Sequence, residues 1–194
     1  MVPIILITGF KPYSVFKRNP SGEIADLLNG SYFNGREVVG LTLEVKHSEL
    51  EKKFLQELEK GYDIIISSGL SPGRNAISIE KIAVNWQEDI KDEGGESRGG
   101  GKILKVAPDG IFSRLPVEAI FHSLRSAKIP SVISYSAGTF LCNKIFFLSL
   151  YYSKAKAGFI HFPLDSDSSL DGKYPTMTID NMIKSMEIAI QKTI

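Results

Sequence analysis

Cys142 is the only cysteine in 194 residues, and it lies in the stretch SAGTFLCN (136–143), between a strand-like run and a strongly apolar helix-like run. A lone thiol can pack as a small hydrophobe or act as a nucleophile. Its position bears on the choice. Ser136-Ala137-Gly138 reads as a small-residue turn, and a helix starting near Phe140 puts Cys142 in the first helical turn. There the unpaired backbone N–H groups and the helix dipole favour a thiolate, and the same groups could hold an oxyanion. On these residues alone, an inert core thiol and an activated one both remain open.

A nucleophilic thiol needs a base, and the chain has three histidines. His47 stands at a helix start beside Ser48 and Glu49, and His122 stands on the polar face of a helix. Both read as solvated surface residues. His161 differs, because GFIHFP (158–163) places it at the carboxyl end of an apolar strand. Open α/β sheets gather their functional groups at such ends. A structural histidine satisfied at a strand end is an equal alternative. Glu80, in AISIEKIAVN (76–85), is a carboxylate inside an extended apolar segment, where alternation sets Ser78 and Glu80 on one face and Ile77, Ile79 and Lys81 on the other. It could pair with a lysine on a solvent face or orient an imidazolium as the third member of a Cys–His–acid arrangement. Spacing does not decide this, since such triads occur in unrelated sequence orders.

Composition narrows the classes. With 23 basic and 22 acidic residues the net charge is +1, so no basic excess points to nucleic acid or an anionic membrane as partner. One cysteine rules out an internal disulfide and a cysteine-rich zinc site. A free thiol, no signal-peptide pattern in MVPIILITGF and no apolar run of transmembrane length predict a soluble cytoplasmic chain. GLSPGR (69–74) and GGGK (99–102) lack the spacing and context of a phosphate-binding loop.

The elements that must position these residues follow from hydrophobic patterning. Strands are expected at 3–7, 36–45, 62–67, 131–135 and 158–162, with a mostly extended segment at 76–86. Helices are expected from Asn19-Pro20-Ser21 onward, with Ile24, Ala25, Leu27 and Leu28 inward, and at 48–60, 116–127, 140–152 and 178–192. EDIKDEGGESRGGGK (88–102) is polar and carries five glycines, and reads as a long mobile loop that could serve as a lid. Strands alternating with helices predict one α/β domain over 1–194, an α/β/α sandwich with a largely parallel twisted sheet. The aromatics Phe146, Phe147, Tyr151 and Tyr152 exceed one helix stripe, which fits a helix buried on two sides or a subunit interface.

Several of these segments together resemble one family, pyroglutamyl peptidase I, whose members are cysteine peptidases that remove an amino-terminal pyroglutamate. ITGFKPY (7–13) is similar to that family's opening TGFEPF, and NPS (19–21) to its NP(S/T). GLSPGRNAISIEKIAVN (69–85) resembles the block carrying its catalytic glutamate, YSAGTFLCN (135–143) the nucleophile block, and GFIHFP (158–163) the block carrying its histidine. The matches run in order from Thr8 to Pro163. The resemblance implies Cys142 as nucleophile, His161 as general base and Glu80 as its orienting acid. It also implies Phe10, Tyr13, Phe140 and Leu141 in the substrate pocket, Asn19 supporting the loop around it, and Leu70 near a backbone group that hydrogen-bonds the lactam. The implied fold is similar to that of purine nucleoside phosphorylases. No metal or organic cofactor is implied; the partners would be peptides with an amino-terminal pyroglutamate and further copies of the chain, as a dimer or tetramer.

The lactam is flat and uncharged, so a mostly apolar, aromatic pocket with a few directed hydrogen bonds suits it. An ordinary amino terminus would bury an unpaired ammonium there and be rejected. The chain departs from the family pattern at Lys11, where a glutamate is usual, and at Tyr13, where a phenylalanine is usual. A third departure falls in NWQEDIKDEGG (85–95), where an ungapped reading puts Ile90 at the position of a family arginine near the active site. Lys91 is adjacent and Arg98 lies in the Gly-rich loop, and neither is equivalent to that arginine by type and place. A weakly active or non-catalytic homologue that binds pyroglutamyl peptides or related lactams is therefore the alternative.

Overall fold

The computed structural model describes residues 4–194, so Pro3, the first residue of the expected opening strand, lies outside the described residues. In chain order the elements are β1 (Ile4–Phe10), α1 (Pro20–Leu28), β2 (Tyr32–Phe33), β3 (Arg36–Leu43), α2 (His47–Leu58), β4 (Ile64–Leu70), β5 (Ile77–Glu80) and β6 (Ile82–Val84). They continue with β7 (Gly110–Phe112), α3 (Val117–Ser126), β8 (Ser131–Ser134), α4 (Leu141–Tyr152), β9 (Lys156–Phe162), β10 (Leu164–Asp165), β11 (Thr176–Met177) and α5 (Ile179–Thr193).

A seven-stranded sheet in the order β2-β3-β1-β4-β9-β5-β8 forms the middle layer. Strands β3, β1, β4 and β9 are parallel neighbours. β5 runs antiparallel to β9 and parallel to β8, and β2 closes the other edge antiparallel to β3. The continuous apolar runs are explained by burial on both sides. Ile5, Ile7, Ile64, Ile66, Ile160 and Phe162 pack with α1, α3 and α5, while Leu6, Ile65, Ala157 and Phe159 pack with α2 and α4. The expected three-layer α/β/α sandwich with a largely parallel sheet is what the chain forms.

Four differences from the sequence reading have physical causes. Leu27 is 62% exposed, not inward, because α1 packs through Ser21, Ile24, Ala25 and Leu28, a stripe of i, i+3, i+4 and i+7 that leaves position 27 outside. β2 escapes patterning because it has two residues; the Asn34-Gly35 turn, with both φ positive, folds it onto β3. The extended segment 76–86 is two strands, since the chain leaves the main sheet at Lys81 and β6 pairs with β7. β4 continues past Ser67 to Leu70, which carries Gly69 and Leu70 into register with His161 and Phe162 of β9.

α4 is buried nearly all round, with Phe146 and Phe147 fully covered by the chain itself. It lies between the sheet and α2 and also touches the β6–β7 pair. The Gly-rich loop is fastened to the body. Asn85 bonds the backbone of Leu104 and Ala107, Gln87 bridges Gly101, and the Asp92 carboxylate accepts from the backbone N–H groups of His47, Gly94 and Glu96. Among the described residues no helix is long and apolar enough to cross a membrane.

Candidate active site

β9 sets the base. Its alternation sends Ile160 and Phe162 to one face and Phe159 and His161 to the face covered by α4. The antiparallel register places Ser78 opposite His161 and Glu80 opposite Phe159, so Glu80 points to the same face, one step along. The result is a hydrogen bond of 2.8 Å between His161 Nδ1 and Glu80 Oε1, with both side chains buried. A carboxylate only accepts, so a neutral His161 carries its proton on Nδ1 and leaves Nε2 as the free basic nitrogen.

α4 sets the thiol. Phe140 caps the helix, and Cys142 is its second residue. Asn143 ties this end to the neighbouring segment: its side chain accepts from Val84 N–H and donates to the carbonyls of Val84 and Trp86. Thr139 donates to the Glu88 carboxylate at 2.6 Å. A methyl group on Gly69 would stand 2.8 Å from Cys142 Sγ, so the sulfur lies directly over that glycine. Gly69 is the parallel partner of His161, and paired residues share a face. Thiol and imidazole therefore sit on the same side of two adjacent strands.

Electrostatics favours an uncharged resting pair. Burial pushes the Cys142 thiol up to about 12, the Glu80 charge adds to this, and Arg74 and the backbone N–H of Cys142 oppose it. Burial also lowers His161, more than its bond to Glu80 raises it, and Arg74 lowers it further. Burial of the sulfur opposes the thiolate that the helix start favours.

Beside the sulfur is a cavity with about 320 Å³ of atom-free space, lined by Phe10, Tyr13, Asn19, Val45, Leu70, Phe140, Leu141 and Cys142. All six residues expected in a substrate pocket thus line one hollow. Tyr13 donates its hydroxyl to the Leu70 carbonyl at 3.3 Å. Asn19 caps α1 and donates from Nδ2 to the Lys11 carbonyl at 3.1 Å, which ties down the loop after β1. Val45 was missed as a lining residue, since one valine at the end of the expected strand 36–45 carries no signal.

One further residue went unread and one was misplaced. Arg74, part of the quoted GLSPGR, bonds Glu80 Oε1 at 3.0 Å, and nothing in its spacing foretold that. His47 is buried, not solvated, and its ring stands edge-on to Phe140 with centroids 5.5 Å apart. The folded loop at Asp92 covers it, which helix periodicity cannot see. Neither His47 ring nitrogen has a hydrogen-bond partner among the described residues. Of the departures, Tyr13 lines the cavity with Cys142, Lys11 pairs with Glu44 and Ile90 is 40% exposed; Arg98 pairs with Glu96. His122 is exposed, as expected.

Known proteins resemble the chain along nearly its whole length. The family model described as pyroglutamyl peptidase matches residues 4–194. The chain is 38% identical over 201 residues to a pyrrolidone-carboxylate peptidase of Pyrococcus furiosus, covering 96% of each chain. It is 34% identical over 196 residues to the one of Lactobacillus helveticus, again covering 96% of each. Among solved structures, a mutant pyrrolidone carboxyl peptidase from Pyrococcus furiosus superposes with a TM-score of 0.94 at 36% identity, over 98% of this chain and 97% of that one. The pyrrolidone carboxyl peptidase from Thermococcus litoralis gives 0.93 at 36% identity, over 98% and 93%. With a family model matched along nearly its whole length, the chain belongs to the pyroglutamyl peptidase family.

Proposed function

We propose that the chain releases amino-terminal pyroglutamate from peptides through Cys142, His161 and Glu80. The observation that carries this reading is a bonded His161–Glu80 pair on the same face as Cys142, whose sulfur opens onto a small, largely apolar cavity. Phe10, Tyr13, Phe140 and Leu141 offer the lactam ring apolar and aromatic surface. Among the described residues no carboxylate lines the cavity to receive an ammonium, which disfavours an ordinary amino terminus.

The chemistry begins from the neutral pair. As Cys142 Sγ attacks the pyroglutamyl carbonyl carbon, its proton passes to His161 Nε2, and Glu80 stabilises the imidazolium. The first N–H groups of α4 are free to receive the carbonyl oxygen as it becomes negative. The carbon–nitrogen bond then breaks and the imidazolium protonates the leaving amine, which leaves a thioester. Water attacks the thioester with His161 taking its proton, and the proton returns to the departing sulfur. Free pyroglutamate and the thiol result.

The test is release of a fluorophore from a pyroglutamyl amide under reducing conditions, with Cys142→Ser as control. Turnover is expected in the wild type, with a loss of at least about 10³-fold in the variant. A folded Cys142→Ser protein with full activity would sink the assignment. The exposed Ile90 supports a second reading, a lactam-binding homologue without turnover. Thermal stabilisation by ligand with no hydrolysis would favour it, and efficient turnover excludes it. A homo-oligomer belongs to the leading reading, and sedimentation velocity checks that.

A further inference from the structure

Arg74 lies in the turn between β4 and β5, and its three guanidinium nitrogens each have a different acceptor. Nε donates to Ser71 Oγ at 3.1 Å, Nη1 to Glu80 Oε1 at 3.0 Å, and Nη2 to the Ser136 carbonyl at 3.1 Å. The first bond closes its own turn, which the backbone also closes from Arg74 N–H to the Ser71 carbonyl. The second falls on the same carboxylate oxygen that holds His161. The third reaches the turn leading into α4, just ahead of Cys142. Glu80 is fully buried, and its other oxygen has no partner among the described residues. A buried charge left without a partner is costly, and Arg74 is the cation paired with this carboxylate at 3.0 Å.

We propose that Arg74 is a positioning residue of this site, acting through Glu80 and Ser136: it holds the acid against His161 and locks the nucleophile's turn to the strand that carries the acid. The inference rests on the catalytic reading above. Arg74 is also the cation that pairs with Glu80, while Lys91 is exposed and Arg98 pairs with Glu96. The titratable and charged groups facing His161 are Glu80 from β5, Arg74 from the turn before it and Cys142 from α4. Arg74 offsets the Glu80 charge at both reacting side chains. A lysine would supply charge but could not span three divergent acceptors from one ammonium.

The experiment compares wild type, Arg74→Met and Arg74→Lys for kcat and KM on a pyroglutamyl amide from pH 4 to 10, per folded molecule as counted by circular dichroism. Arg74→Met is expected to lower kcat by about 10- to 100-fold, as loss of an orienting partner does, with KM changed less than about twofold. With the Glu80 charge unopposed, His161 becomes more basic, so the acid limb of kcat/KM moves to higher pH. Arg74→Lys is expected to keep the limb near its wild-type position while recovering only part of kcat. If Arg74→Met keeps kcat per folded molecule and its acid limb stays put, Arg74 only stabilises the fold and the inference is overturned. A wild type without turnover overturns the catalytic reading and this inference with it; an active wild type with an indifferent Arg74→Met overturns the inference alone.

Discussion

Burial of His161 and partial burial of Cys142 shape the expected pH response. The imidazole is held below its ordinary value and the thiol above its own, so the reactive neutral pair persists across neutral pH. Below the depressed histidine value His161 takes a proton and can no longer accept one. The acid limb of kcat/KM is therefore expected below about 6.5, the ordinary imidazole value; a limb above it would show that His161 rests as the cation. The sulfur also depends on what is absent beneath it. Gly69→Ala puts a methyl 2.8 Å from Sγ, with the Phe159 ring at 3.1 Å leaving it no room to turn aside. A stability loss of about 1–3 kcal/mol is expected from such overpacking, with a larger proportional loss of kcat. Unfolding and assay on the same sample separate the two, and a Gly69→Ala protein with wild-type kcat would place the thiol elsewhere.

At the scale of elements, α2 and the Gly-rich loop make the wall behind Phe140. His47, buried at the start of α2, has its pKa lowered by burial and then by Lys144, against the Asp92 charge. Lys144 is itself tied to Glu51 at 2.6 Å. An imidazole whose folded value is depressed binds fewer protons folded than unfolded. Its share of stability is thus full above the ordinary value near 6.5 and is lost as pH falls through the folded value. His47→Phe removes that titration and is expected to narrow the gap in Tm between pH 7 and pH 5. His161 contributes a similar slope in both proteins, so the difference between them reports His47. An unchanged gap would mean the buried ring does not titrate with unfolding.

At the scale of the molecule, the cavity draws on residues at the carboxyl ends of β1 and β4 and at the start of α4, closed by the loop that Asn19 holds. These groups already stand around the hollow, so a small lactam is expected to bind without large rearrangement. A ligand at 100 times its Kd adds about 2.7 kcal/mol, which for a chain of this size raises Tm by roughly 5–10 °C. Thermal melts of Cys142→Ser with 2-pyrrolidone should show this rise as concentration passes saturation. A proline amide of the same ring size, carrying an ammonium, should not. Equal stabilisation by both would mean that the cavity does not discriminate by charge.

The sequence by itself determined the layers, since continuous apolar runs and 3.6-residue stripes are consequences of burial that each element carries locally. It also marked Cys142, His161 and Glu80 and the six pocket residues, because these stand in quotable motifs whose combination is specific. Only the tertiary structure decided which atoms meet. The registers Gly69 to His161 and Ser78 to His161 put thiol, imidazole and carboxylate on one face, and no local pattern encodes a pairing between strands so far apart in the chain. For the same reason Arg74 could not be read as the partner of Glu80, nor His47 as buried. Their surroundings are built by the turn before α4 and the loop at Asp92, segments whose positions arise from side-chain bonds over long sequence separations. The burial that raises the Cys142 thiol is likewise a property of the folded molecule and not of the helix start in which Cys142 stands.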